Sequence, residues 1–192
     1  MSSFDIDFLN LRIIEQTRNP IDAWAGAMTV AWAFRDRTNS LVDMTLAMGT
    51  SDSDRLISNG TIGGDAPSST DRAFNSLGYI NTGLAFAPQI ANLSMLRAGG
   101  STAIPVDPKR PNAMRGGVDF FFFSKTNADD ANSTPTIDDR WLGWEMDWKL
   151  DWQILSDVTL NFRYGIFFPG DGVPDAFDDP RHFVYGAISY AF

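Results

Sequence analysis

The chain has 192 residues, 44% of them apolar and 13% aromatic, with a formal net charge of -9 and no cysteine. This length fits one domain or part of a larger one, and the charge argues against a nucleic-acid partner, which requires a basic surface. The lack of cysteine excludes disulfides, thiol catalysis and cysteine metal sites, and the lack of any run of 18 apolar residues excludes a transmembrane helix.

The opening stretch, "MSSFDIDFLN", has no basic segment followed by an apolar core, so it is not a secretory signal. The expectation is that the numbering starts after cleavage or that the chain is a piece of a longer precursor. Residues 4–16 place Phe4, Ile6 and Phe8 on one parity and Leu9, Leu11 and Ile13 on the other, which predicts a strand with a bulge near Phe8.

Clearer alternation follows. In residues 22–35, Trp24, Gly26, Met28, Val30, Trp32 and Phe34 alternate with mostly small residues; in 41–50, Val42, Met44, Leu46 and Met48 alternate with Asp43, Thr45, Ala47 and Gly49. A period of two marks a strand whose faces meet different media. Residues 51–90 form the longest connection, and a stretch of that length is unusual unless functional. It predicts either a disordered external loop or a short helix or inward fold from Phe74 onward that narrows a lumen.

Strands are predicted again at 91–104, with Leu96, Ala98, Thr102 and Ile104 on one face, and at 112–125, where Met114, Val118, Phe120 and Phe122 oppose Arg115, Asp119 and Lys125. Residues 140–154 contain "LGWEMDWKLDWQI", in which Leu142, Trp144, Met146, Trp148, Leu150, Trp152 and Ile154 occupy every second position. Strands in soluble proteins have about 5–6 residues, whereas a tilted strand needs roughly 9–11 to cross a bilayer. Two strands complete the chain. One, at 157–168, sets Val158, Leu160, Phe162, Tyr164, Ile166 and Phe168 against Thr159, Asn161, Arg163 and Gly165; the other, at 181–192, carries Val184, Gly186, Ile188, Tyr190 and Phe192 on one face.

These eight segments predict an all-β fold, an antiparallel up-and-down transmembrane barrel. Bacterial barrels alternate short periplasmic turns with long external loops. With a periplasmic C-terminus, 51–90, 126–139 and 169–180 fall outside and are long, while 36–40, 105–111 and 155–157 fall inside and are shorter. Only "QTRNP" at 16–20 is short where a long loop belongs. A soluble barrel with the apolar residues inward is the alternative, but so many Trp, Phe, Met and Tyr would overfill a narrow core. Aromatic residues near strand ends also match the girdles at membrane interfaces.

Two stretches carry a family resemblance. The terminal "YGAISYAF", with Gly186, Ile188, Tyr190 and Phe192, resembles the C-terminal signal by which bacterial outer-membrane proteins are recognised for assembly. "RWLGWEMDWKLDWQILSDVTLNFRYGIFFPGDG" at 140–172 resembles the end of the alginate-export family of outer-membrane barrels, with its LGxExD strand, tight turn and strand ending in FFPGD; "LSMLRAGGSTAIP" and "MRGGVDFFFF" resemble the preceding strands less closely. The resemblance implies a monomeric barrel of considerably more than eight strands, of which this chain is the C-terminal portion, whose lumen carries an anionic polysaccharide past a basic constriction. The resemblance of the C-terminal strand to the assembly signal implies barrel-assembly machinery as a partner.

Inward charges are expected at Arg12, Glu15, Arg35, Asp43, Arg97, Arg115, Asp119, Lys125, Glu145, Asp147, Lys149, Asp151 and Arg163. Within that set Arg97, Arg115, Asp119, Glu145, Asp147, Lys149, Asp151 and Arg163 are the predicted lumen lining. Arg97, Arg115, Lys149 and Arg163 are candidates for contacting anions, with Glu145, Asp147 and Asp151 orienting them. The mixture of signs departs from a strongly basic channel. Salt-bridged ladders filling the wall are the alternative for any single residue.

The acidic loop residues Asp129, Asp130, Asp138, Asp139, Asp171, Asp175, Asp178 and Asp179 read as a solvated surface or as oxygen ligands for divalent cations, without EF-hand spacing. The sole histidine, His182, reads as a strand-end residue near headgroups, and no catalytic constellation, cofactor motif or defined metal site is expected. The sequence therefore predicts a porin or export channel for polar, anionic or polysaccharide solutes in the bacterial outer membrane. The alternative is a structural or adhesive barrel with a closed lumen whose acidic loops bind a partner or divalent cations.

Overall fold

The computed structural model describes residues 2–7, 12–55, 66, 68–75, 80–110 and 112–191, with the backbone alone for 2–7 and 12–18. Among the described residues nine strands are present: β1 (Ser2–Asp7), β2 (Arg12–Arg18), β3 (Ala25–Ala33), β4 (Leu41–Gly49), β5 (Ser94–Ile104), β6 (Met114–Ser124), β7 (Trp141–Gln153), β8 (Val158–Pro169) and β9 (Arg181–Tyr190). β3 to β9 form one seven-stranded antiparallel sheet in sequence order, while β1 and β2 pair as a separate hairpin.

The hairpin corrects the single strand expected over 4–16. The parity change there accompanies a reversal of the chain between two short strands; residue 8, where the bulge was expected, lies outside the described residues, and a register irregularity falls between Asp5 and Ile6. The seven-stranded sheet is open, with β3 and β9 as its edges, so the chain is an all-β up-and-down meander.

Register ties the sheet together. Asp43 pairs with Gly99, Gly99 with Asp119, Asp119 with Asp147, Asp147 with Gly165, and Gly165 with Phe183. Every pairing from β3 to β9 joins odd to odd and even to even, the sole exception being a shift at Phe123/Ser124. Alternate residues of a strand point to opposite faces, so the sheet has one odd face and one even face.

The charges follow that division. In β3 to β9 every Asp, Glu, Lys and Arg is odd-numbered: Asp43, Arg97, Arg115, Asp119, Glu145, Asp147, Lys149, Asp151, Arg163 and Arg181. Even positions carry Met28, Val30, Trp32, Met44, Leu46, Phe122, Trp148, Trp152, Phe162, Val184 and Ile188, all exposed, with Ile188 at 73% and Trp32 at 69%. The usual relation is inverted: the acidic residues Asp119, Glu145 and Asp147 are buried while the large apolar side chains face outward.

The packed core lies on the odd face toward the long-loop ends of the strands. Met95, Phe121, Phe123 and Phe167 from the sheet meet Phe86, Ile90 and Leu93 from the 50–93 connection. Phe86 stacks on Phe167 at 4.2 Å and meets Phe123 edge-on at 5.1 Å. The long connection packs on the odd face through Phe74, Ile80, Ala85, Phe86 and Ile90, with no helix among its described residues.

A bulge alters one predicted position. Gly143 has φ +127°, Ser124 pairs with Trp141, and Leu142 is turned into the core at 0% exposure, so the outward alternation of β7 begins at Trp144. A Cβ on Gly143 would lie 2.2 Å from the Phe168 carbonyl oxygen. Nearby, the Gly170 and Gly172 amides donate to Leu142 O at 2.9 Å and Trp141 O at 2.7 Å, and a Cβ would sit 2.2 Å from Trp141 Cδ1 at Gly170 and 2.8 Å from the Trp141 carbonyl oxygen at Gly172, which explains both glycines of "FFPGDG".

At the opposite end, Asp36 organises the β3–β4 turn. Its carboxylate accepts from the Ser40 amide at 2.9 Å, the Ser40 hydroxyl at 2.7 Å and the Thr38 hydroxyl at 3.0 Å. The Ser40 bonds chiefly hold its pKa down at about 2.

Two outcomes follow. Gly143→Ala should destabilise the protein by about 2 kcal/mol or more, because L-residues resist positive φ and the backbone leaves no room, read from urea unfolding. The Asp36 carboxyl should titrate by NMR near pH 2; its pKa is depressed on folding, so its stabilisation is complete above the ordinary value and is lost as pH falls through about 2.

Candidate functional site

The odd face combines charge, aromatic rings and a covering loop. Its centre is a four-residue chain of ion pairs spanning β4 to β7. Arg97 on β5 pairs with Asp43 on β4 and with Asp119 on β6, the latter at 2.7 Å, and Lys149 on β7 reaches Asp119 at 2.8 Å. Glycine makes room for it: a Cβ at Gly99 would sit 2.0 Å from Asp119 Oδ1, and one at Gly117 would sit 2.6 Å from Lys149 Cε. The small residues that dilute the apolar pattern of β5 thus accommodate the charged ladder.

A second pair lies toward the short-turn end, where Arg163 Nη2 bonds Asp151 Oδ1 at 2.7 Å. Arg115 donates to Ser101 Oγ at 3.1 and 3.0 Å and to the Asn39 carbonyl at 2.9 Å. Lys149 and Arg163 are direct cross-strand partners, an unfavourable placement for like charges unless anions or water separate them.

Near the long-loop end the carboxylates do something else. Glu145, at 0% exposure, accepts the backbone amides of Leu84, Ala85 and Phe86 at 2.5, 2.8 and 2.7 Å. Three convergent N–H groups satisfy a buried carboxylate without a cation. Gly83 makes the approach possible, with φ +94° and a Cβ position only 2.6 Å from Glu145 Oε1. Asp147, also buried, has no hydrogen-bond partner for Oδ1. The expectation that Glu145 and Asp147 orient the candidate cations is therefore corrected: Arg97, Lys149 and Arg163 are held by Asp43, Asp119 and Asp151, the last as expected, and Arg115 by Ser101 and the Asn39 carbonyl, while Glu145 anchors the loop.

The loop is fastened by further contacts. Asn92 donates to Asn127 O at 3.1 Å and Asp130 O at 2.8 Å and accepts from the Asn127 amide at 2.8 Å. Asn132 donates to Ala91 O at 2.8 Å and Asn92 O at 3.0 Å. Both asparagines are fully buried. Arg181 sits over the rings of Phe86 and Phe167 at 5.9 and 5.7 Å, within cation–π range. None of these roles is announced by alternation; the positive φ of Asn92, 51°, is a conformation asparagine tolerates.

The predicted lining divides in two. Arg97, Asp119, Glu145 and Asp147 are largely enclosed, whereas the side chains of Lys149, Arg163 and Asp151 are 29%, 27% and 38% exposed, and Arg115 is half-buried. Lys125 is not on that surface. It follows the end of β6, and its ammonium group donates to the carbonyls of Ala128 and Ile137 inside the 125–140 connection, where burial pushes its pKa down. Arg35 is exposed beyond β3, and Arg12 and Glu15 lie in the separate hairpin.

Of the predicted assembly-signal residues, Gly186, Ile188 and Tyr190 occupy the even face of β9, and Phe192 lies outside the described residues. His182 shares the even face, with Nδ1 2.8 Å from the Tyr164 hydroxyl. Among the described residues no group of three or more His, Cys, Asp or Glu side chains is arranged to hold a metal ion. No family model matches the chain, and no curated protein matches it.

Glu145→Ala should release the loop, since hydrogen bonds to charged groups contribute about 1.5–3 kcal/mol each. Hydrogen exchange at Leu84, Ala85 and Phe86 should accelerate strongly in this variant and less in Glu145→Gln, whose remaining carbonyl oxygen still accepts.

Proposed function

We propose that the seven-stranded sheet is part of the wall of a bacterial outer-membrane β-barrel, with its C-terminus on the periplasmic side, that passes polar solutes along its charged face. The observation that carries this reading is the segregation of charge: every Asp, Glu, Lys and Arg of seven strands is on the odd face, and the exposed even face is apolar. In water such a broad apolar surface calls for a covering partner; in a bilayer it meets hydrocarbon, and alternation of this kind is how barrel strands are built.

Lipid also restricts the backbone, because unpaired strand edges do not occur in hydrocarbon. β3 and β9, separated by five intervening antiparallel strands, run in the same direction. Antiparallel closure therefore takes an odd number of further strands between them. This supports the chain's being a portion of a larger barrel, as its resemblance to the alginate-export family implies.

The accessible charges support a preference for anions. Arg115, Lys149 and Arg163 outnumber Asp151 on the open part of the odd face, so the passage favours anions, acidic polysaccharide included. A second reading, a structural or adhesive barrel with a closed lumen, is favoured by the loop around residues 80–93, which Glu145 fastens to the same face and Asn92 and Asn132 tie to the 125–140 connection.

Planar-bilayer recording of the purified barrel separates the two. The transport reading expects stable ion current whose reversal potential moves toward cation preference when Arg115, Lys149 and Arg163 are replaced together by glutamine. Folded, detergent-dependent protein without current would leave the closed barrel, and protein that stays folded and dissolved without detergent would remove both.

A further inference from the structure

The strap of residues 80–93 closes over two carboxyl groups of β7, and only one of them is fully satisfied. Glu145 accepts the amides of Leu84, Ala85 and Phe86. Asp147, 5% exposed, directs Oδ1 toward the space that Gly165 leaves open: a Cβ there would lie 2.6 Å from Asp147 Oδ1, 3.0 Å from Leu84 Cβ and 3.4 Å from the Ala85 nitrogen. Strap and carboxyl group therefore meet over Gly165, and Oδ1 has no hydrogen-bond partner.

The charges around Asp147 leave it without a cation. On its own strand stand Glu145 and Lys149; opposite it on β6 is Asp119; opposite on β8 is Gly165, with Arg163 at the next odd position, and beyond on β9 is Phe183. The strap contributes no charged residue. Lys149 is taken by Asp119, Arg163 by Asp151, and Arg97 by Asp43 and Asp119. Glu145 is within hydrogen-bonding reach of Asp147, and two carboxyl groups bond to each other only when one carries a proton. Like charges directly opposite in a sheet repel, and a buried carboxylate without a cation is costly enough to be neutralised instead.

We infer that Asp147 and Glu145 hold one proton between them beneath the docked strap, and that its loss releases residues 80–93 from the charged face. With the strap away, the Asp147 carboxylate is hydrated and ionises at neutral pH as exposed aspartates do. Docking therefore binds a proton, and by linkage a rise in pH favours the undocked strap. Three amides on Glu145 make an anchor; the neighbouring Asp147 makes that anchor respond to protons. The latch needs only the odd face and its strap, so it operates whether the rest of the lumen is open or closed.

Amide hydrogen exchange tests the latch directly. The full chain and its Asp147→Asn variant, purified in detergent and checked for folding by circular dichroism, would be compared from about pH 5 to about pH 9, with rates corrected for the intrinsic base-catalysed rise. Wild-type protection at Leu84, Ala85 and Phe86 should fall as pH rises, by up to about tenfold per pH unit for one released proton, while amides within β5 and β6 keep theirs. Asparagine is neutral throughout, so Asp147→Asn should hold the strap's protection constant. Infrared spectroscopy of the wild type supplies a reading that needs no variant: a protonated-carboxyl band should vanish over the same pH interval as the protection. Wild-type protection independent of pH, no protonated-carboxyl band at the lower pH, or an unchanged pH dependence in folded Asp147→Asn would each overturn the latch.

Discussion

The structure depends on one constraint, the preservation of parity across seven strands. An antiparallel pair aligned odd to odd keeps each strand's side chains on the same two faces as its neighbour's, and a slip of one residue would turn a whole row over. Such a slip in β7 would drive Glu145, Asp147, Lys149 and Asp151 onto the apolar face and bring Trp144, Met146 and Trp148 among the ion pairs. The cost of either half of that exchange is large, so the alternation of β7 specifies its register more firmly than its hydrogen bonds do.

Within that frame the two ends of the charged face solve the burial of carboxylates differently. In the middle, Asp119 is neutralised by Arg97 and Lys149, with the room provided by Gly99 and Gly117. Toward the long loops, Glu145 is satisfied by backbone amides, which makes the loop part of the wall. The first arrangement orders side chains within the sheet. The second reaches 59 to 61 residues along the chain, and the aromatic group of Phe86, Phe123 and Phe167 closes over the same end.

This division bears on function. A fixed loop over one half of the charged face leaves Arg115, Lys149, Asp151 and Arg163 as its partly exposed charges. Lys149 and Arg163 lie opposite each other across β7 and β8, and each is compensated by its own carboxylate, Asp119 and Asp151 respectively. The balanced ladder of Asp43, Arg97, Asp119 and Lys149 is explained by its own ion pairs.

Strand positions, face assignment and the charged set were legible from residue order, because a period of two is local and each long strand repeats it several times. Strands β3 to β9 and the odd-face placement of Arg97, Asp119, Glu145 and Lys149 follow from that pattern. Tertiary structure alone decided which partner each charge takes: Glu145 and Asp147 are one step apart on the same face, yet one meets three loop amides and the other leaves an oxygen unpartnered. It also decided the inward turn of Leu142 and the stapling by Asn92 and Asn132. Periodicity records which side of a sheet a residue occupies, while hydrogen-bond partners depend on segments distant in sequence whose approach no local pattern encodes.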